Sequence, residues 1–143
     1  MKQNIINHSI RIVLFMLFSV SPILAQDVNI ENMTEEKRNI LLINTAKEIC
    51  KTYPDFYREN APVKIDEKRT VYLTGEEVKE VYLNPDSPWY GMKSGQIYYS
   101  VTFLQDEEKD NFEQGYLARI YIRADTGKAF RIMLGCNIAY PVK

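Results

Sequence analysis

Tyr116-Leu117-Ala118-Arg119-Ile120-Tyr121-Ile122-Arg123-Ala124-Asp125-Thr126-Gly127-Lys128-Ala129-Phe130-Arg131-Ile132-Met133-Leu134-Gly135-Cys136 is the stretch that decides the fold. Two runs alternate apolar and polar residues, the pattern of strands with one face on a core. Tyr116, Ala118, Ile120 and Ile122 share one side of the first run, and Phe130, Ile132, Leu134 and Cys136 share one side of the second. Between them, Asp125-Thr126-Gly127 suits a three-residue hairpin loop with Gly127 in the left-handed bulge position. Closed there, the hairpin sets Ile122 opposite Phe130, Ile120 opposite Ile132 and Ala118 opposite Leu134. A two-residue loop at Thr126-Gly127 would instead set Ile122 against Arg131, and register slips of that kind exchange the faces. The chosen register turns Cys136 inward and leaves Arg119, Tyr121, Arg123, Arg131 and Met133 on the outer face, with Tyr121 opposite Arg131.

Working outward, Ile97 to Leu104 is a third alternating run, with Ile97, Tyr99, Val101 and Phe103 on one side. Asn84-Pro85-Asp86-Ser87-Pro88-Trp89-Tyr90-Gly91 is rich in breakers and reads as a loop. Thr70 to Leu73 is β-rich, and Glu76 to Leu83 fits either a strand or a short helix. Upstream, the period changes. Thr34 stands where a cap belongs, Glu35 and Glu36 follow in the first turn, and Ile40, Ile43, Ala46, Ile49, Cys50 and Tyr53 fall at helical spacing. Pro54 stops that helix near Tyr53 or restarts it as a turn through Phe56 and Tyr57. Residues 26–33 are polar and read as loose. The expected architecture is α+β: an N-terminal helix packed on a curved antiparallel sheet, in a cystatin-like or NTF2-like layout.

Residues 1–25 read as a secretory leader, leaving 26–143 as one domain. Lys2 and Arg11 precede the apolar run Ile12 to Val20, and Ser21-Pro22-Ile23-Leu24-Ala25 ends on a small residue. The run is too short to span a bilayer, so no stable membrane insertion is expected after cleavage. The expected location is periplasmic or extracellular. Cleavage would remove His8, the only histidine of the chain. Histidine-based triads, zinc sites and general bases then lack their imidazole. Cys50 and Cys136 both remain, and an even count in an oxidising compartment reads as a disulfide between the helix and the last strand.

The formal net charge of the 143 residues is −1, against the basic excess of a nucleic-acid binder. Ser87, Ser94 and Ser100 lie in no nucleophile motif, and no phosphate-binding glycine motif occurs. Asp106, Glu108 and Asp110 begin like a calcium loop, but Asn111 and Leu117 stand where the motif needs Gly and Glu. A solvated hairpin tip is the plainer reading. Neither metal nor cofactor is expected, and no catalytic residue is assigned. Trp89 and Tyr90 either form a loop-borne binding anchor, or Trp89 folds back to close one end of the core. Arg119, Tyr121, Arg123 and Arg131 either form an ordinary solvated face or receive an anionic or peptide partner.

Ala46-Lys47-Glu48-Ile49, Tyr98-Tyr99-Ser100-Val101-Thr102-Phe103 and Ile120 to Phe130 together resemble a PepSY-type module. In that family a helix and antiparallel strands end on a hairpin of the form V-D-A-x-T-G-K. Here Ala124-Asp125-Thr126-Gly127-Lys128 matches the turn, with Arg123 where an acid is common. The resemblance implies an exported, non-catalytic domain that binds or inhibits a peptidase. Gly115 to Gly135 is also similar to exported immunity proteins of NTF2-like fold, which implies neutralisation of a toxin by contact. Both imply action through a protein partner. A small-ligand carrier using the concave side of the sheet is the alternative from another class.

Overall fold

The computed structural model describes residues 27–66, 68–72 and 81–143. The expected leader at 1–25, Leu73 and the first part of the ambiguous 76–83 segment lie outside these. Residues 81–83, the described end of that segment, are helical. Helix α1 (Glu35–Cys50) opens on the two acids at its positive end, with Thr34 extended in the cap position but making no side-chain cap bond. Backbone bonding ends just after Cys50, and Pro54–Phe56 forms a single 3-10 turn. The helix meets the sheet through Leu42, Ala46 and Cys50, one residue every four and all buried. Ile40 does not join them. Two residues from Leu42 is a rotation of about 200°, so Ile40 faces away and is 54% exposed.

Six strands form one open antiparallel sheet: β1 (Val63–Ile65), β2 (Arg69–Thr70), β3 (Ile97–Leu104), β4 (Tyr116–Arg123), β5 (Ala129–Leu134) and β6 (Ala139–Pro141). The order is β1-β3-β4-β5-β6, with β2 continuing along the free side of β3 after β1. Tyr99, Val101 and Phe103 of β3, Ala118, Ile120 and Ile122 of β4, and Ile132 and Leu134 of β5 pack beneath the helix as one buried cluster. The helix-on-sheet reading therefore holds, with the expected faces of the central strands.

Two bulges correct that pattern. In β4 the register slips beside Leu104, which pairs with Tyr116 while Phe103 pairs with Ala118. The extra residue, Leu117, enters the core with no exposure, and Tyr116 lies instead under the Arg119 guanidinium. In β5, Tyr121 pairs with Arg131 as expected, but Ile122 pairs with Ala129 and not with Phe130. The cause is Ala124. Its N–H donates to Ile97 and its carbonyl accepts from Ile30, so it cannot help close the hairpin. Arg123 and Lys128 close it instead, around four residues ending in Gly127 at φ +67°. Phe130 becomes the surplus residue and packs on the opposite face, with Tyr98 and Tyr121.

The same contacts overturn the loose N-terminus. Val28 and Ile30 donate to Thr126 and Ala124, and Ile30 is fully buried. A side chain at Gly127 would press on the Val28 carbonyl at 3.2 Å, so glycine is required there for space as well as conformation. The disulfide is also corrected. Cys50 is buried in the helix–sheet core, Cys136 is exposed, and both are free thiols. Strand β5 ends at Leu134, and a turn through Gly135 and Asn137, whose φ is +62°, swings Cys136 away from the core before β6 begins. Alternation could not be extended through a turn.

Candidate functional site

The outer face of the sheet is not bare. The breaker-rich loop crosses it, held by its own turns: Asn84 Oδ1 accepts from Asp86, Ser87 Oγ accepts from Trp89, and Gly91 donates to the Tyr82 carbonyl. At Gly91, φ +74° puts the backbone where a Cβ would stand 3.1 Å from an Arg123 terminal nitrogen. These bonds lay Trp89 on the strands, where its ring lies 5.8 Å from Tyr98 and Phe130 and 6.0 Å from Tyr121. Val71 and Met92 join them in a second buried cluster. Trp89 thus folds back, although over the outer face and not over an end of the main core. Tyr90, its neighbour, remains 48% exposed.

Arginines complete this layer. The Arg131 guanidinium sits 4.6 Å from the Trp89 ring centre and 4.7 Å from that of Tyr121, filling the space between two aromatic faces. Arg119 lies 4.8 Å from the Tyr116 ring and donates through Nε to Thr102 Oγ1 at 2.9 Å. Arg123 stands over Phe130 and reaches the Tyr90 carbonyl. Nε of Arg123 and of Arg131 is buried without a hydrogen-bond partner. Among the described residues, the ion pairs involve lysines and Arg58, and none involves these three arginines.

Nearby ionisable groups feel the positive field. Burial pushes the Asp66 carboxyl up, but the Ser100 hydroxyl, Lys64 and Arg119 together hold it below the usual carboxylate range. Burial raises the Tyr116 phenol, against the pull of Arg119. The face is therefore cationic and partly desolvated, with donors whose flat sides are already occupied by rings.

Thus Trp89, Arg119, Tyr121, Arg123 and Arg131, separated in sequence, come together in one layer, with Tyr90 at its rim. Tyr121 is nearly buried, so its part is to support Arg131. A cleft of about 300 Å³ opens beside Arg123, lined also by Tyr90, Lys128 and Phe130. Sequence reasoning missed Tyr82, Tyr98 and Phe130 as members of this layer. Tyr98 was readable as outward-facing; the Phe130 bulge was not. No protein-family model, curated protein or solved structure matches the chain.

The acidic loop departs from a solvated tip. Asp110 is buried, accepts from Arg58 at 3.0 Å and from the Asp106 backbone, while Asp106 accepts from Lys109. These carboxylates stitch the β3–β4 connection. The cleft beside them, about 690 Å³, is lined largely by charged and polar residues including Arg58, Glu59, Asp106 and Lys109.

Proposed function

We propose that this protein is a non-catalytic, exported binding domain that acts by contact with another protein. The observation that carries the reading is the segment between β2 and β3. Its described part holds Trp89 against the sheet yet leaves Tyr72 at 79%, Leu83 at 72% and Tyr90 at 48% exposure, with Tyr90 beside Arg123, and among the described residues Arg119, Arg123 and Arg131 form no ion pair. Exposed aromatics with arginine are the composition of contact surfaces. The carrier reading loses ground because the space between α1 and the sheet is filled by side chains, whereas ligand pockets are concave and mostly apolar. The cystatin-like or NTF2-like layout stands as the finer fold proposal, since a single helix across an open antiparallel sheet suits it.

The PepSY resemblance makes a peptidase the partner class, inhibited by the contact. Tagged protein, processed by an exporting host, is used to capture partners from the native exported fraction, and captured peptidases are assayed with and without it. Recovery of a peptidase whose activity falls supports the proposal. Recovery of a toxin moves the assignment to immunity, and a stably bound small molecule with no protein partner refutes both.

A further inference from the structure

Arg119, Arg131 and Arg123 are evenly stepped. Arg119 and Arg123 lie one outward position, two residues, either side of Tyr121 on β4, and Arg131 is paired directly with Tyr121 on β5. Successive outward positions on a strand are about 7 Å apart, so the three side chains leave the sheet in a zigzag advancing by that step. An extended peptide presents alternate side chains on one face with the same step. Each guanidinium lies over a ring; Thr102 takes Nε of Arg119 and the Tyr90 carbonyl takes one terminal nitrogen of Arg123, which leaves the remaining terminal N–H groups of each for an acceptor. Among the described residues the terminal nitrogens of Arg131 have no hydrogen-bond partner, and unlike its Nε they are not buried. Stacking fixes the donors in advance, so little side-chain entropy is lost on binding.

We propose that this face binds an extended acidic peptide segment of the partner, with carboxylates at alternate positions i, i+2 and i+4 seated on Arg119, Arg131 and Arg123. The proposal rests on the protein-contact reading above and adds the chemistry of what is contacted. Charge complementarity selects an acid, and the step of the arginines selects an extended chain. Tyr90, at the Arg123 end beside the open cleft, supplies apolar contact for a residue beyond the last carboxylate.

The test uses labelled ten-residue peptides of equal composition, one alternating Glu and Thr and one with Glu in two-residue blocks (Glu-Glu-Thr-Thr-Glu-Glu-Thr-Thr-Glu-Thr), in which no three Glu fall at i, i+2 and i+4, titrated by anisotropy at low and high salt. The alternating peptide should bind about tenfold tighter than the block peptide, and each of Arg119→Gln, Arg123→Gln and Arg131→Gln should cost about tenfold. Arg131→Lys keeps the charge but not the planar donor edge, and should also lose affinity. On the unmutated protein, the alternating peptide should change the emission of Trp89, a readout that needs no variant to fold. Equal binding of the two peptides, or no binding of either, overturns the proposal, as does a sulfated polysaccharide that binds where neither peptide does. A captured protein partner that folded arginine variants retain unchanged overturns it while leaving the protein-contact reading intact. Absence of any protein partner counts against that reading, and the peptide titrations still decide this one.

Discussion

Mixing the folded protein with a maleimide at pH 8, without reductant, should separate its two cysteines by rate. Cys136 is exposed on the β5–β6 turn and can be attacked directly. Cys50 has no exposed surface, and burial pushes its thiol from 9.0 to about 12. Three pH units mean about a thousandfold less thiolate than an unperturbed thiol offers, and the thiolate is the nucleophile. Attack on Cys50 must therefore await opening of the helix–sheet interface. With a global stability near the ordinary minimum of about 5 kcal/mol, the open fraction is on the order of 10⁻⁴. Labelling of Cys50 should accordingly run at least ~10³ times slower than that of Cys136. Intact mass against time reads this directly: one adduct in the first phase, and the second only on adding guanidinium. Equal rates in the folded state would refute the burial argument. No adduct at all before reduction, with two afterwards, would restore the disulfide and refute the turn at Gly135.

The same thiol gives a pH test. Because its folded value is raised, its contribution to stability is complete below pH 9 and is lost as pH rises toward about 12. Urea midpoints of the wild type should therefore fall relative to Cys50→Ala over that range, by about 1.4 kcal/mol per unit in the difference. Gly135→Ala places a Cβ 2.1 Å from the Tyr116 carbonyl and 2.9 Å from the Phe112 side chain. It should cost at least ~3 kcal/mol by thermal unfolding, whereas Gly95→Ala, with nothing within 4 Å but φ +85°, should cost only the conformational ~1 kcal/mol. Trp89→Ala should cost about 2–3 kcal/mol and collapse the near-ultraviolet dichroism of the outer aromatic cluster. Asp110→Asn removes the charge that Arg58 meets at 3.0 Å and should lower stability by about 1–2 kcal/mol, followed in urea.

Periodicity made the helix and the three long strands legible, because one face of each lies on the helix–sheet core and its apolar residues must then recur at 3.6 or 2. It failed where a single residue is inserted. The bulges at Leu117 and Phe130 exchange faces over one step, and the hydrogen-bond partners that create the second of them, the Ile97 carbonyl and the Ile30 N–H, are far away in sequence. Strands β1 and β6 have three residues each, too short for alternation to show. The arginine face was readable from β4 and β5 alone, since Tyr121 opposite Arg131 survived the bulge. Its aromatic cover was not, because loop composition says that Trp89 leaves a strand without saying which layer it joins. Leu42 was overlooked for a related reason: with Leu41 and Ile43 on either side, several helical phases fit equally well.

A sheet with the helix core on one face and the tryptophan layer on the other keeps its central strands from water on both sides. Every residue of β4 is buried except the half-buried Arg119 and Arg123. Such a strand meets water only at those two arginine side chains, and its backbone has no wet face from which to fray. Time, in deuterated solvent, would therefore sort this molecule from its edges inward: the amides of β6 and β1 would exchange first, and those of β4 would hold their protons until the whole chain opens.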